Sequence, residues 1–225
     1  MHQTDLGFAE AWSSPELAGV NFTGTGYSLA ILQVQPISAV ESPNPEPTKA
    51  TDFIRIKCNA TLHPELCYTS LSGFANAIQE DPARLANVAI VVSLSKTKHM
   101  AKYVANISLH FDTGGNKGLA SALHVCSKVF SSAVDEIRYS LSEMKRLRRP
   151  GQSQSVGSQI GDVQTSMTAA IAYEDTCTES LEEIEYEGPL KTDICDRAEK
   201  VFHFMGNALN LVMNAFADTV AAPAP

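Results

Sequence analysis

The sequence predicts an all-α protein, an antiparallel up-down-up-down four-helix bundle that follows a short N-terminal helical hairpin. Two stretches place apolar residues at alternating steps of three and four, which is the spacing of a helix that buries one face. The first stretch runs from Leu119 to Met144 and the second from Ile160 to Ile184. The polar loop at 148–157 that separates them is short, and short loops place consecutive helices side by side and antiparallel.

Each of these two helices carries a cysteine on its apolar face. Residues that face each other in an antiparallel hairpin have a nearly constant sum of positions, and the midpoint between Cys126 and Cys177 falls inside the 148–157 loop. The two thiols are therefore expected to lie level with each other, where a disulfide needs its α-carbons about 5.5–6 Å apart. Cys58 and Cys67 also have the spacing of a disulfide, within the N-terminal hairpin. Two such pairs indicate an oxidising compartment.

Residues 1–50 have no helical periodicity and are predicted to form a disordered leader or an atypical signal region. They are rich in Gly, Ser, Thr and Pro and end in ESPNPEPTKA, whose prolines disfavour a helix. The start, MHQTDLGFAE, has neither the basic nor the apolar segment of a secretory signal. The bundle domain is expected over 51–220, and residues 221–225 are expected to be a frayed tail.

Capping residues mark where the helices are expected to begin. Thr51 or Asp52 is the predicted N-cap of a first short helix. Pro64 suits the first position of a second helix, which is expected to continue to Gln79. Asp81 is the predicted N-cap of the first long helix. The four long helices are predicted at 83–109, 117–147, 159–186 and 192–219.

Composition and motifs argue against several classes of function. The formal net charge of −8 at pH 7 disfavours nucleic acid as a partner, because phosphate binding needs clustered Lys and Arg. No apolar run approaches the roughly 20 residues of a membrane span. Catalytic motifs are missing from the sequence and the six histidines are scattered, so neither an enzyme nor a cofactor or metal site is expected. For Cys195, a buried spare thiol is favoured over a reactive one.

An acidic segment is the most distinctive surface feature of the sequence. Seven carboxylates fall within fourteen residues that contain no Lys or Arg: Glu174, Asp175, Glu179, Glu182, Glu183, Glu185 and Glu187. A solvated helix face is the simpler interpretation. Acids near a helix C-terminus oppose the helix dipole, however, so stability alone would not select them. A partner-binding role for the segment therefore stays open.

Three Asn-X-Ser/Thr sequons agree with an oxidising compartment. Asn59 and Asn106 are the predicted glycosylation sites within the bundle domain, and Asn21 begins a third sequon in the leader.

Several segments together resemble the plant invertase/pectin methylesterase inhibitor family. They are CNATLHPELCYTSLSGFA, ALHVC, VDEIRYSL, VQTSMTAAIAYEDTC and NALNLV, and the similarity covers about Thr51 to Val220. The resemblance implies a secreted protein of the apoplast or cell wall that has the disulfides Cys58–Cys67 and Cys126–Cys177. Cys195 corresponds to a free fifth cysteine. It also implies stoichiometric binding to a cell-wall enzyme, so that the inhibitor covers the substrate cleft.

The target of such an inhibitor is either a pectin methylesterase or an acid invertase. Invertase inhibitors of the family carry a Pro-Lys-Phe element after the fourth cysteine, and the nearest match here is Pro189-Leu190-Lys191. A pectin methylesterase is therefore the favoured partner, with an invertase as the alternative. A non-inhibitory helical binding module, or a domain like the pro-region of some pectin methylesterases, is a further alternative. By resemblance Thr176 is a candidate contact residue. Four neighbouring acids are further candidates for partner binding: Asp175, Glu179, Glu182 and Glu183.

Overall fold

The computed structural model describes residues 49–111, 113–147 and 155–217, which form a helical bundle preceded by a short helical hairpin. The hairpin comprises α1 (Lys49–Cys58), α2 (Pro64–Leu71), a 3-10 turn (Ser72–Phe74) and α3 (Ala75–Ile78). The long helices are α4 (Pro82–His110), α5 (Lys117–Arg146), α6 (Val156–Glu182) and α7 (Pro189–Ala215). Helix α4 packs against α5 and α7, and α6 packs against the same two helices. The predicted fold class is confirmed.

Capping side chains mark the starts of three of the four long helices, α4, α5 and α6. The Asp81 carboxylate accepts hydrogen bonds from the amides of Ala83 (2.8 Å) and Arg84 (3.1 Å), as its predicted role as N-cap requires. Asn116 caps α5 in the same way. Helix α7 begins at Pro189, three residues before its predicted start, because a proline at the first helical position has no amide hydrogen to leave unpaired.

The hairpin differs from its predicted form. Instead of one helix continuing to Gln79, α2 ends at Leu71 and a 3-10 turn follows, since the Ser-Gly pair in that turn has low helix propensity. Gln79 and Glu80 then adopt positive φ angles of 52° and 60°, which end α3 and separate it from α4. Helix α1 begins at Lys49, so the predicted N-cap at Thr51 or Asp52 is also wrong.

The predicted apolar faces of α5 and α6 form the centre of the core. Along the alternating steps of three and four from Leu119 to Met144 and from Ile160 to Ile184, every position is buried except Leu141 and Ile184, which are half-buried and pack against the core. The buried side of α4 also contains polar residues. The polar residues Ser93 and Thr97 are fully buried there, and each hydroxyl donates to a carbonyl one turn earlier on its own helix. Apolar periodicity cannot reveal such positions.

Side-chain contacts attach the hairpin to α7. The amide of Asn207 donates to the carbonyl oxygen of His63 (2.9 Å), and its Oδ1 accepts from the His63 amide (3.0 Å). The ring of His63 stacks on that of His203, with centroids 3.5 Å apart. Ile54 and Leu71 of the hairpin are buried in the common core. The hairpin is therefore part of the same packed unit as the four long helices.

Two disulfides link Cys58 to Cys67 and Cys126 to Cys177, with α-carbons 5.5 and 4.5 Å apart. The first closes the hairpin and the second joins α5 to α6. Cys195 is free. These are the pairings that the sequence predicts.

Two predicted segments fall wholly or largely outside the described residues. They are the tail 221–225 and all of the leader except its last two residues. Among the described helices, none is both long and apolar enough to cross a membrane.

Candidate functional site

The predicted contact residues share one side of α6. Thr176, Glu179 and Glu183 follow one another at steps of three and four, and Asp175 and Glu182 lie beside them at the same spacing from Glu179. All five side chains are exposed. We call these five residues the acidic face of α6.

One member of the acidic segment does not belong to this exposed surface. Glu174 is only 3% exposed, because it lies four residues after Ala170 and three before Cys177, on the side of α6 that packs in the core. Interpreting the whole segment as a solvated face is therefore wrong for Glu174. Glu187, at the other end of the segment, is exposed and lies 3.2 Å from the amino group of Lys191.

Thr176 lies next to the disulfide that links α6 to α5. Its hydroxyl donates to the carbonyl oxygen of Ala172 (2.9 Å), so the side chain has a fixed local partner. The adjacent Cys177 is fully buried and bonded to Cys126 of α5. A protein that docked on the acidic face would meet a surface held in place by a covalent link directly beneath it.

A cleft between α6 and α7 adjoins the acidic face. Its volume is about 310 Å³, and α6 contributes Glu174, Asp175, Thr178 and Glu182 to its lining. The α7 wall consists of Cys195, Asp196, Glu199 and Phe202. All the ionisable side chains that line it are acids or a thiol. We call it the α6–α7 cleft.

Burial and like charge shift the proton affinities in the cleft. Removal of the Glu174 carboxyl from water raises its pKa to about 7, and the nearby charges of Asp175 and Glu199 act in the same direction. Burial, assisted by Glu182, also raises the pKa of the Cys195 thiol. Cys195 is half-buried rather than buried, but its surroundings oppose the reactive thiolate form.

Sequence reasoning missed the α6–α7 cleft because its two walls come from separate segments. Asp196 and Glu199 are spaced three residues apart on α7, which gives them a common side of that helix, but nothing in the sequence places that side against Glu174. Within the described residues, no group of three or more His, Cys, Asp or Glu side chains is arranged to hold a metal ion.

The predicted modification sites and the Pro-Leu-Lys element also have defined places. Asn59 is exposed directly after α1, and Asn106 is exposed on α4, so their glycosylation stays a prediction. Asn21 lies outside the described residues. Pro189-Leu190-Lys191 forms the first turn of α7, and the side chain of Lys191 is 15% exposed.

Comparisons with known proteins agree on one family. The family described as plant invertase/pectin methylesterase inhibitor matches residues 52–211. The chain is 29% identical to Pectinesterase inhibitor 11 of Arabidopsis thaliana over 75% of this chain and 82% of that protein. It is 30% identical to Pectinesterase inhibitor 3 of the same plant over 77% of this chain and 83% of that protein.

A solved structure supports the fold. It is the crystal structure of mutant form A of a pectin methylesterase inhibitor from Arabidopsis, with a TM-score of 0.53 and 16% identity. The match covers 69% of this chain and 91% of that chain. At this level of identity the likeness concerns the architecture alone.

Proposed function

The chain belongs to the plant invertase/pectin methylesterase inhibitor family, and from that premise we propose that it inhibits a pectin methylesterase by forming a one-to-one complex. The inhibitor covers the pectin-binding cleft of the enzyme and so limits the de-esterification of cell-wall pectin. Members of the family are inhibitors rather than enzymes. The observation that carries the proposal is the family match over 52–211, which spans the described hairpin and nearly all of the bundle.

The acidic face of α6 is the proposed contact surface. Its carboxylates are exposed and lie on a helix that the Cys126–Cys177 disulfide holds against α5. A rigid surface loses little conformational entropy when it docks. Exposed charges of one sign act mainly on the rate of association with a partner of opposite charge. We therefore expect the acidic face to steer a basic surface of the esterase towards the inhibitor.

The first turn of α7 favours an esterase over an invertase as the target. Phenylalanine does not follow Lys191, and the Lys191 amino group lies 3.2 Å from the carboxylate of Glu187. A lysine that is largely covered and paired is poorly placed to enter the active site of a second enzyme. Two disulfides also suit the apoplast, the oxidising compartment in which pectin is modified.

Titration against two enzymes tests the proposal. The purified full chain is added at increasing molar ratio to a plant pectin methylesterase and, separately, to an acid invertase, and initial rates are recorded. We expect esterase activity to fall linearly to a plateau near one equivalent, with the invertase unaffected. Inhibition of the invertase alone would support the alternative target. Full activity of both enzymes at a large excess of the chain would overturn the inhibitor proposal.

Charge reversal tests the acidic face. Reversing Glu179, Glu182 and Glu183 to lysine should slow association with the esterase and flatten its dependence on salt, while the dissociation rate changes little. The control variant makes the same change in net charge at exposed acids elsewhere: Glu65, Glu80 and Asp135. Equal association rates and salt slopes for the two variants would mean that the acidic face is only a solvated helix surface.

Thr176 tests direct contact. Replacing Thr176 by tryptophan should speed dissociation of the esterase complex, because a bulky side chain would separate the two surfaces. Thr165 provides a matched control, since it is exposed on the same helix and its hydroxyl donates to the carbonyl of Gly161 at 2.9 Å. Thr165→Trp should leave the dissociation rate unchanged. If both variants dissociate at the parental rate, Thr176 lies outside the contact.

A further inference from the structure

We propose that the α6–α7 cleft binds an organic cation, an ammonium or guanidinium group carried on an aliphatic stem. This chemistry occurs in lysine and arginine side chains and in free polyamines. The inference goes beyond the proposed inhibition and does not depend on it, because binding to the cleft is measured on the isolated chain.

The charges of the cleft favour a cation. Two walls of carboxylates face each other, Asp175 and Glu182 from α6 and Asp196 and Glu199 from α7, and no Lys or Arg lines the space between them. A concave site lined by one sign of charge concentrates counter-ions above their bulk level. Two basic groups of α7 lie beside the lining. His203 is 3.7 Å from Glu199, but burial lowers the pKa of its imidazole and so favours the neutral form. Lys191 is already paired with Glu187.

Glu174 gives this acidic cleft a feature that points to a ligand. Its side chain is 3% exposed and lines the cleft, yet within the described part of the chain no donor is hydrogen-bonded or ion-paired to its carboxylate. A buried carboxylate without a partner is costly, whereas a cation in the cleft would provide one. The other buried carboxyl group, that of Glu143, accepts a hydrogen bond from Arg146 at 2.8 Å through Oε1, while its Oε2 has no partner within the described residues.

The remaining lining suits the stem of an organic cation better than a bare metal ion. Phe202 and Cys195 contribute an aromatic ring and a half-buried thiol to the α7 wall. Methylene groups can pack on both, and an aromatic face also attracts a cation. At about 310 Å³ the cleft lies at the small end of the usual range for ligand pockets. The described residues offer no set of three or more His, Cys, Asp or Glu side chains that could hold a metal.

Binding should be coupled to release of a proton. Burial, Asp175 and Glu199 hold the pKa of Glu174 at about 7, and Glu182 and Asp196 add further negative charge to the same cleft. A cation favours the ionised carboxylate and lowers that pKa. Affinity should therefore rise as the pH increases from 5.5 to 7.5, and binding near pH 7 should expel a fraction of a proton.

Titration of the full chain with agmatine, a guanidinium group on a four-carbon stem, tests the site. Calorimetry and amide chemical shifts should report binding at pH 7.5, and Glu174→Gln should weaken it about tenfold. Glu183→Gln removes an exposed carboxylate directly after the end of α6, outside the lining of the cleft, and should change the affinity less than twofold. Glu199→Gln, on the opposite wall, serves as a second variant if Glu174→Gln does not fold.

Adding the esterase to the titration distinguishes the two sources of the cation, a side chain of the enzyme and a free polyamine. If a lysine or arginine side chain of the enzyme occupies the cleft, agmatine should compete with complex formation. If a free polyamine is the ligand, agmatine and the esterase should bind independently. The proposal is overturned if agmatine does not bind, or if Glu174→Gln and Glu183→Gln bind it equally well. Neither result would bear on inhibition itself, which is measured without agmatine.

Discussion

Replacing Asn207 by alanine is expected to lower the free energy of unfolding by about 2–3 kcal/mol. Asn207 is 4% exposed and makes two hydrogen bonds to the backbone of His63, a residue 144 positions earlier in the chain. A hydrogen bond contributes a net ~1 kcal/mol, and a buried partner left unsatisfied adds roughly 1 kcal/mol or more. His63 is half-buried, so water can partly satisfy its freed backbone groups. The loss of unfolding free energy should therefore lie towards the lower end of the range of about 2–3 kcal/mol.

Asn210 is the matched control. It lies on the same helix three residues further along, and its amide donates to the carbonyl of Gly206 at 3.0 Å, so its contact is confined to α7. Asn210→Ala should cost less than about 1 kcal/mol. Urea denaturation followed by circular dichroism measures both variants.

The region of the protein that loses stability is as informative as the amount of stability lost. Because the contact joins the hairpin to α7, Asn207→Ala should accelerate amide hydrogen exchange most strongly within residues 49–78, where local opening becomes easier. Equal destabilisation by Asn207→Ala and Asn210→Ala would refute the reasoning. An increase in exchange spread evenly over all four long helices would do so as well.

Three further changes probe stability. Replacing both Cys126 and Cys177 by alanine opens a link across 51 positions and should cost about 4 kcal/mol in the chain-entropy model, as measured by urea denaturation. Burial and the neighbouring His63 lower the pKa of His203, so the unfolded chain binds that proton more readily and stability should fall as the pH decreases below about 6.5. His203→Gln should flatten that dependence in denaturation curves at pH 7.5 and 5. Glu80→Gly removes a side chain from a residue at φ 60° and should raise the stability by about 0.5–1 kcal/mol in thermal denaturation, whereas a decrease would contradict the assigned backbone.

The parts of the fold that the sequence predicts depend on local repetition. The apolar faces of α5 and α6 repeat often enough to place Cys126 level with Cys177, and the structure has that disulfide. The start of α4 depends on Asp81 and the proline after it, both read directly from adjacent residues. Such signals need no knowledge of how distant segments meet.

The features that escape prediction join segments that lie far apart in the chain. Nothing near His63 indicates that Asn207 binds its backbone. Glu174 belongs to an acidic run in the sequence, yet it lies on the buried side of α6. Burial raises its pKa, and the charges of Asp175 and, from across the α6–α7 cleft, Glu199 add to that effect. The acidic residues of α6 were visible in the sequence, but the wall that α7 builds opposite them was not.

The two disulfides also determine how the molecule responds to a pulling force applied at its ends. Each bond closes a local loop, of 9 and 51 positions, and neither joins the hairpin to α4 or α7. Under tension the backbone inside both loops bears no load, which shortens the fully extended chain by about 200 Å at roughly 3.5 Å per residue. The hairpin carries its own disulfide, and no disulfide links it to the long helices. It is therefore expected to peel from the bundle as an intact unit, while α5 and α6 stay joined.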